Sequence, residues 1–407
     1  SVNEAIYPCA DPLVELNLHI KFKHLWQCCV HVVDGLSGEG GDGPRVIIHC
    51  DLDAFFAAVE TLHHGFDDDV PLIIGSDPKQ GRGRGIVSTC NYAARAYGIR
   101  SAMPVSEAWR RCPAAPFGPA MYIRGTRGLY SRASRKVMSV LSEVADVFEK
   151  ASIDEAYLDV TEHVGGDWDA ALALATNLQQ KILETVNLTA SFGIAPTRLV
   201  AKMASEVNKP NGVFRVMPDE VQSFFVGRSL RDIPGIGPKR ATQLAEWGYT
   251  TADELYELGE LSLARLAGER FAAWFMRVVD GESSDVVSPL RSRKSIGKEH
   301  TFDRDQNDHE EVMRRLEQLV SLVMERAVGL GVSGRLAEVK IRYTGFETHT
   351  SGRSIPVAMD EEGVFKRLAS VLFATNIRPD SSVRLIGFRL GQLEIPASRQ
   401  TTLFEEE

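Results

Sequence analysis

The sequence of 407 residues lacks any run of about 18 consecutive apolar residues, the length that a membrane-spanning helix needs. Its first residues also lack the basic segment followed by an apolar one that marks a secretory signal peptide. Cysteine is sparse, and the six cysteines include no CxxC pair, so we expect reduced thiols and neither disulfides nor a structural metal. These absences predict a cytoplasmic protein without a membrane partner.

A net positive charge is absent too, since 55 Asp and Glu outweigh 46 Lys and Arg and the formal net charge is −9. This balance argues against a nucleic-acid partner, because binding to phosphates depends on Lys and Arg. Charges nevertheless cluster in the basic runs "KQGRGRG" (79–85) and "RSRKSIGK" (291–298) and in the acidic run "DRDQNDHEE" (303–311). Such runs are usually solvated faces, so they indicate DNA binding only where an independent signal supports it.

What the sequence does contain is an ordinary globular composition, with 44% hydrophobic and 25% charged residues, enough for several domains. Residues 1–44 end in a Gly-rich stretch and are predicted to form a flexible extension. From residue 45 to 209 strand patterns alternate with helical ones, which predicts an α+β fold around a mostly antiparallel or mixed sheet. Residues 210–281 are predicted to be helical and, after a basic linker, residues 295–394 to form a small α/β domain. Its predicted strands are "VKIRYTGFE" and "VRLIGFRLGQLE", and its predicted helices are "HEEVMRRLEQLVSLVMERAV" and "VFKRLASVLFATN".

Two pairs of acids lie in strand-forming contexts. Asp51 and Asp53 follow an apolar strand pattern, and Asp154 and Glu155 lie at the centre of the predicted hairpin "VFEKASIDEAYLDV". The first pair could cap the next helix, and the second could form a turn. Matching pairs of this kind favour instead a site for hard cations such as Mg²⁺. Two such ions, about 3.5–4 Å apart, clamp the attacking and leaving oxygens of phosphoryl transfer.

The segment "GIVSTCNYAARAYG" combines the hydroxyls of Ser88 and Thr89 with the Tyr92 phenol and the Arg95 guanidinium. Tyr92 and Arg95 are three residues apart on a predicted helix face, and such a set can hold phosphate oxygens. The alternative is a helix capped by Ser88, Thr89 or Asn91, with Tyr92 packed in the core.

Lys202 lies in the otherwise apolar helical segment "RLVAKMASEV". A lysine in that position usually extends to solvent along its own aliphatic stem. A contact with an anion is the alternative interpretation.

The segment "LRDIPGIGPKRATQLAEWG" places Gly235 and Gly237 on either side of Ile236, ahead of an amphipathic helix that contains Lys239. This spacing resembles a helix-hairpin-helix module, whose backbone N–H groups and nearby lysine hold a DNA phosphate without reading sequence. The alternative is a Gly-rich turn between two helices.

Seven segments together resemble the Y-family of translesion DNA polymerases, with most similarity to the bacterial DNA polymerase IV (DinB) branch. They are "VIIHCDLDAFFAAVE", "GIVSTCNYAARAYGIRSAMP", "SIDEAYLDV", "LTASFGIAP", "AKMASEVNKPNG", "IPGIGPKRATQL" and "RKSIGKEHTF", and they occur in the family's order and approximate spacing. The resemblance covers residues 45–394. The 44 residues before it and the strongly acidic balance depart from the family's pattern.

The resemblance implies a right-hand polymerase fold with a helical thumb and a C-terminal α/β little finger. The implied domains are a palm (45–54 and 122–209), fingers (55–121), a helix-hairpin-helix thumb (210–281), a linker (282–292), a little finger (293–394) and a tail (395–407).

The resemblance also implies the roles of individual residues. Asp51, Asp154, Glu155 and the backbone carbonyl of Leu52 match the ligands of two Mg²⁺ ions, for which Mn²⁺ can substitute, whereas Asp53 matches no ligand and is expected to support the local turn. Phe56 matches the steric gate, a ring that lies where a ribose 2′-OH would be. The residues expected to contact the incoming deoxynucleotide are Phe56, Ser88, Thr89, Tyr92, Arg95 and Lys202.

The implied partners are primer–template DNA, dNTPs and a sliding clamp, and the chain is expected to be a monomer. DNA contacts are expected from Gly235, Gly237 and Lys239 in the thumb and from Arg291, Arg293 and Lys294 in the linker region. In the tail, Gln400, Leu403 and Phe404 fit the Q-x-x-L-F pattern of clamp-binding peptides.

The sequence therefore predicts a template-directed DNA polymerase of the translesion type, which joins deoxynucleotides to a primer 3′ end without proofreading. Two other functions remain open at this point. One is a polymerase fold that has lost catalysis and serves as a DNA-binding scaffold, although all the carboxylates are present. The other is a metal-dependent repair nuclease, which would leave the nucleotide-contacting set and Phe56 unexplained.

Overall fold

The structure is a computed structural model that describes residues 43–283, 285–289 and 293–395. Its strands are β1 (Ile47–Leu52), β2 (Leu72–Gly75), β3 (Val87–Cys90), β4 (Met121–Ile123), β5 (Val147–Lys150), β6 (Glu155–Asp159), β7 (Ala190–Ala195), β8 (Val213–Arg215), β9 (Ser295–Gln306), β10 (Ser333–Tyr343), β11 (Thr348–Met359) and β12 (Val383–Glu394). Its α-helices are α1 (Phe55–His64), α2 (Tyr92–Ala96), α3 (Val105–Arg111), α4 (Leu129–Ser142), α5 (Trp168–Val186), α6 (Arg198–Ser205), α7 (Val221–Phe225), α8 (Pro238–Glu246), α9 (Ala252–Glu257), α10 (Glu260–Ala267), α11 (Glu269–Val279), α12 (His309–Val328) and α13 (Glu362–Asn376).

The central sheet has five strands in the order β5-β6-β1-β7-β8, and all neighbours are antiparallel except β7 and β8. This mixed sheet confirms the predicted α+β class. Ile48 of β1 packs with Leu141 of α4 and Leu178 of α5, whereas Ile47 belongs to the core on the other face, with Val200 of α6. A strand buried on both faces needs apolar residues in succession, which explains the apolar run in β1.

A small sheet of three strands in the order β3-β2-β4 follows α1, and β2 and β4 are parallel. The predicted boundary between residues 121 and 122 falls inside β4, so this sheet extends past it. Similarly, β8 pairs with β7 of the central sheet although it lies in residues 210–281, which were expected to be helical. Both strands have only three residues, too few for a periodic pattern.

The helical region from α7 to α11 packs against the face of the central sheet on which Ile47 lies. Phe225 of α7, Leu244 of α8 and Phe275 of α11 share one buried cluster with Ile47. Val287, in the predicted linker, is buried in the same cluster, so the described part of the linker is anchored to this core.

The C-terminal sheet consists of four antiparallel strands in the order β11-β10-β12-β9, with α12 and α13 packed on one face. The sequence predicted both helices and the strands β10 and β12, but it missed β9 and β11. These two strands expose half or more of their side chains and carry many polar residues, because none of the described elements covers the other face of the sheet. The apolar alternation that reveals a half-buried strand is therefore weak in them.

The small sheet's domain and the C-terminal domain contact each other through oppositely charged segments. The Arg84 guanidinium donates to the carbonyl of Phe302 at 3.0 Å and to Asp305 Oδ1 at 2.7 Å. Lys79 and Asp303 form a more exposed ion pair at 3.7 Å. Arg84 and Asp305 are thus not part of a solvated face, because they neutralise each other across a domain boundary, whereas Lys79 and Asp303 remain largely solvated.

Within the described ranges, none of the helices combines the length and the apolar character needed to cross a bilayer. The cysteines in those ranges, Cys50, Cys90 and Cys112, are free and buried. They behave as small apolar side chains of the core, and burial raises the pKa of each thiol.

Candidate active site

The two acidic segments meet at the centre of the five-stranded sheet. In the antiparallel pairing of β1 with β6, Asp51 lies directly opposite Glu155. The backbone N–H of Leu52 donates to the carbonyl of Asp154 at 3.0 Å. Cross-strand partners have Cβ atoms about 4.5–5.5 Å apart, so this register places the Asp51 side chain beside that of Glu155, and the Asp154 backbone beside Leu52.

The turn before β6 is organised by Ser152. Its hydroxyl oxygen accepts from the backbone N–H groups of Asp154 and Glu155, at 3.1 and 3.0 Å, and its O–H donates to the Asp154 carboxylate. The "SIDE" segment therefore forms a tight turn in which the Ser152 hydroxyl fixes the backbone of both acids. The turn interpretation and the site interpretation are compatible, because the turn presents the acids to β1.

Each of two carboxylates is paired with a lysine. Lys209 Nζ lies 2.8 Å from Asp51 Oδ1, and Lys202 Nζ lies 2.6 Å from Glu155 Oε2. Burial raises the pKa of Asp51 to about 7 in spite of Lys209. The His49 ring, together with Lys202, lowers the pKa of Glu155 to about 2 against the opposing effect of burial.

Magnesium ligation is compatible with the donor set but is not formed by the present side-chain positions. Three carboxylates and a backbone carbonyl are the hard oxygen donors that Mg²⁺ prefers. No group of three His, Cys, Asp or Glu side chains within the described ranges converges as a metal site would require. The two lysines provide the positive charge beside Asp51 and Glu155 instead.

Asp53 has a different role from its neighbour. Its carboxylate accepts from the Ser191 hydroxyl and from the backbone N–H of Asn211, both at 2.8 Å. The expectation that Asp53 supports a local turn needs correction, because these partners are 138 and 158 residues away. Neither acid caps α1, whose N-cap is Ala54 with no side-chain hydrogen bond.

Phe56 lies in the first turn of α1 and is half-buried. Its ring stacks on Tyr130 of α4, with centroids 4.2 Å apart and planes inclined by 20°. The residue predicted as the gate is therefore held from one side by a second aromatic ring.

The segment 85–98 forms a strand and a short helix. Ser88 and Thr89 are on β3, and the cap of α2 is Asn91, whose side chain accepts from the Ala94 N–H. Tyr92 is 40% exposed, so the alternative in which it packs in the core is wrong. The Arg95 guanidinium lies over the Tyr92 ring, 4.7 Å from its centroid. Tyr92 and Asp53 line the same cavity of about 340 Å³.

The backbone of the predicted hairpin requires glycine at one of its two glycine positions. Gly235 has a φ of +105°, and a Cβ there would lie 2.8 Å from the Trp274 ring. Ile236 is buried, whereas Gly237 is the exposed N-cap residue of α8 and a Cβ there would meet no atom within 4 Å. Lys239 is exposed in the first turn of α8. Ile236 is thus buried between two exposed glycines, of which only Gly237 has free space around the position of a side chain.

A cleft of about 1060 Å³ separates this hairpin from the central sheet. Its lining contains two acids, Glu269 and Asp285, and five cationic side chains, Arg198, Lys202, Arg240, Arg270 and Arg277. The net charge of the whole chain therefore hides a local excess of positive charge.

Other predicted contact residues are only partly described. Arg293 and Lys294 are exposed immediately before β9. Arg291 and the tail residues Gln400, Leu403 and Phe404 lie outside the described residues.

Sequence reasoning missed His49, Lys209, Glu60 and Tyr130, which all contact a predicted site residue or one of its partners. His49 and Lys209 lie within quoted motifs, but nothing in their spacing indicates the contact. Their partners lie in other strands, helices or loops, so only knowledge of how these elements pack together could have revealed the contacts.

Three sequence families match the chain. The impB/mucB/samB family matches residues 50–206, the C-terminal domain of the same family matches 293–403, and the SAM-like helix-hairpin-helix tandem matches 227–268. The DNA polymerase IV of Methanoculleus marisnigri is 38% identical over 367 residues, covering 89% of this chain and 98% of that protein. The chain belongs to the Y-family of DNA polymerases, in its DNA polymerase IV branch.

The DNA polymerase IV of Streptococcus thermophilus is 35% identical to this polymerase over 362 residues, covering 89% of this chain and 97% of that one. Two solved structures also resemble it. The Y-family polymerase chimera Dbh-Dpo4(243-245)-Dbh has a TM-score of 0.77 at 28% identity and covers 86% of this chain and 100% of its own. An insertion ternary complex of Dbh DNA polymerase has a TM-score of 0.61 at 27% identity, with the same coverage.

The polymerase is therefore a DNA-directed DNA polymerase of the translesion type with the predicted right-hand fold. The alternative of an inactive scaffold receives no support from these relatives. The helix-hairpin-helix match at 227–268 includes Gly235 and Gly237.

Proposed function

We propose that Asp51, Asp154, Glu155 and the carbonyl of Leu52 hold two Mg²⁺ ions, which Mn²⁺ can replace. The observation that carries this proposal is the register that sets Asp51 opposite Glu155. When bound, the ions supply a lowered pKa for the primer 3′-OH and neutralise charge on the triphosphate. Asp51 and Glu155 present oxygen ligands from two rigid central strands, a placement that keeps the ligand geometry precise.

Lys202 and Lys209 each place a positive charge beside one of these carboxylates. We propose that Lys202 exchanges Glu155 for a phosphate oxygen when nucleotide and metal enter. A lysine can make this exchange because its ammonium is a point charge on a flexible stem. The interpretation of Lys202 as a residue that merely reaches solvent is disfavoured by its ion pair at 2.6 Å.

The nucleotide pocket is proposed to use residues on both sides of this centre. Ser88, Thr89, Tyr92 and Arg95 hold the triphosphate, and the Phe56 ring excludes a 2′-OH by leaving no room for it. The exposed Tyr92 side chain and the Arg95 guanidinium above its ring support this assignment, because neither side chain is buried in the core.

The DNA contacts are proposed to be distributed over three parts of the chain. Backbone N–H groups around Gly235 and Gly237, with Lys239, hold one phosphate, and Arg291, Arg293 and Lys294 follow the DNA backbone. The assignment of 45–54 and 122–209 to a palm, 55–121 to fingers, 210–281 to a thumb and 293–394 to a little finger belongs to the same proposal. Strands β4 and β8 move two of these boundaries by a few residues.

Primer extension with Mg²⁺ tests this function. Extension with dNTPs, and no change without them, is the expected result. Shortening of the primer would indicate a nuclease, and an unchanged primer in both reactions would indicate a scaffold.

The tail is proposed to bind a sliding clamp through Gln400, Leu403 and Phe404, and the polymerase is proposed to act as a monomer in the cytoplasm. Tethering to a clamp raises the effective concentration of the enzyme at the primer end. Deleting residues 400–407 should leave single-nucleotide insertion unchanged and remove the increase in product length caused by a loaded clamp. Full stimulation of the truncated enzyme would contradict the clamp assignment.

A further inference from the structure

Helix α1 contains a fully buried carboxylate to which the proposed catalytic machinery assigns no role. Glu60 lies one turn after Phe56 on α1 and is 0% exposed. It accepts from the Thr126 N–H at 2.5 Å, from the Thr126 hydroxyl at 2.9 Å and from the Tyr130 hydroxyl. His64 Nε2 lies 3.1 Å from Glu60 Oε2, the oxygen that also accepts from the Thr126 hydroxyl. A buried carboxylate is tolerated only with such compensation, so three hydrogen-bond donors and the adjacent His64 ring around one group indicate a specific position.

The protonation states suit this arrangement. Burial alone would raise the pKa of Glu60, but the hydrogen bonds from Tyr130 and Thr126 outweigh it and the pKa is lowered. Burial and the same carboxylate raise the pKa of Tyr130. Tyr130 therefore remains a donor to an ionised acceptor, and a charge-assisted hydrogen bond of this kind is stronger than a neutral one.

Tyr130 connects Glu60 to the Phe56 ring. Its hydroxyl end is held by Glu60, and its ring lies nearly parallel to Phe56 with centroids 4.2 Å apart. Phe55 adds a second contact, with its centroid 6.3 Å from that of Tyr130. A ring fixed at its hydroxyl end cannot turn away, so it prevents Phe56 from leaving its rotamer on that side.

We propose that Glu60 is a positioning residue for sugar discrimination: it fixes Tyr130, and Tyr130 holds Phe56 where the 2′-OH of a ribonucleotide would lie. This inference rests on the proposed gate role of Phe56. A gate that works by lack of space needs a supported ring, because a small displacement opens the space that excludes the hydroxyl.

The test compares Glu60→Gln, Tyr130→Phe and Phe56→Ala by the ratio of rNTP to dNTP incorporation efficiency. Tyr130→Phe removes only the hydroxyl and keeps the ring. We expect Glu60→Gln and Tyr130→Phe to raise the ratio by about two- to tenfold, less than Phe56→Ala does. In the Phe56→Ala background, Tyr130→Phe should raise the ratio no further, because the ring it supports is gone.

Tyr122→Phe is the matched control. The Tyr122 hydroxyl donates to the Cys112 carbonyl at 2.9 Å, and the ring packs beside Trp109 rather than Phe56. This control should keep the wild-type ratio.

The outcomes separate the inference from the function on which it rests. If Phe56→Ala raises the ratio but Tyr130→Phe leaves it at the wild-type value, the positioning role is overturned and the gate is retained. If Phe56→Ala leaves the ratio unchanged, the gate fails and the inference fails with it. An equal fall of rNTP and dNTP incorporation in Tyr130→Phe would also overturn the inference, since a merely structural role predicts it. Tyr130→Phe keeps the test decisive should Glu60→Gln fail to fold.

Discussion

The central sheet and the C-terminal sheet use charge in opposite ways. In the central sheet, both faces are covered and charged groups such as Asp51, Glu149 and Asp159 are buried, each with a defined partner. In the C-terminal sheet one face is left open by the described residues, and pairs such as Lys340 with Glu299 lie partly exposed on it. Buried charges act through fixed geometry and are costly to leave unpaired, whereas exposed ones are screened and act mainly through their field. Substitutions in the two sheets should therefore differ in both the size and the kind of their effects.

The largest effect is expected at the buried carboxylates of the central sheet. Asp51→Ala and Asp154→Ala should each abolish primer extension, a loss of at least about 10³-fold if the metals supply several kcal/mol. Binding of duplex DNA should stay within a few-fold, because it depends on phosphate contacts elsewhere. Measurements of extension rate and DNA affinity for each variant check this prediction. Asp69→Ala, at an exposed carboxylate, is the control. Substantial extension by either variant would refute the metal-ligand assignment.

A large loss of stability is expected at the buried ion pair of Arg198 and Glu149. Arg198 lies 2.8 Å from Glu149, has its guanidinium over Tyr157 at 4.3 Å, and also contacts Asp285 in the linker. Arg198→Met leaves Glu149 without this partner and should lower the free energy of unfolding by about 3–5 kcal/mol.

The matched control is Arg314→Met in the C-terminal domain. Arg314 pairs with Glu311 at 2.8 Å, but both side chains are exposed, so the loss should be about 0–1 kcal/mol. Denaturant unfolding measures both values. Equal losses would show that burial of an ion pair does not determine how much stability is lost when the pair is broken.

An intermediate effect is expected for the cations that precede the C-terminal sheet. Replacing Arg291, Arg293 and Lys294 with glutamine should weaken DNA binding with little regard to sequence. It should also flatten the salt dependence by up to about 2.7, since each lost phosphate contact removes about 0.9 from the slope. The control replaces three exposed cations elsewhere, Arg110, Lys181 and Arg314. An unchanged salt dependence of DNA binding would show that residues 291–298 form a solvated face and do not contact the DNA.

The smallest effect is expected at the contact of Arg84 with Asp305, which joins the domain of the small sheet to the C-terminal domain. Arg84→Ala and Asp305→Ala should each cost little, and their coupling energy should be about 0.5–1 kcal/mol and fall with salt. A double-mutant cycle in thermal unfolding measures it, and Lys79→Ala, at the more exposed pair, should give no measurable change. Additive effects of the two alanine substitutions would mean that the contact contributes nothing.

Short-range patterns predicted much of the secondary structure. The pattern of α12 was recognised over its whole length, and the hairpin of β5 and β6 follows from apolar residues around a turn. The residue types at the site could also be predicted from the sequence, because carboxylates are rare in strand-forming segments unless they have a specific role. Strands β9 and β11 were missed, since an exposed strand leaves little apolar pattern.

The sequence alone determined the α+β class, the order of the elements that have a clear apolar pattern and the residue types available for catalysis, because these depend on local patterns and on composition. Tertiary structure alone decided which groups meet. Asp53 binds Asn211 across 158 residues, Glu60 holds Tyr130 across 70, and Arg84 reaches Asp305 across 221. No periodicity encodes such contacts, because they arise only when the strand register and the packing of helices on sheets bring distant segments together.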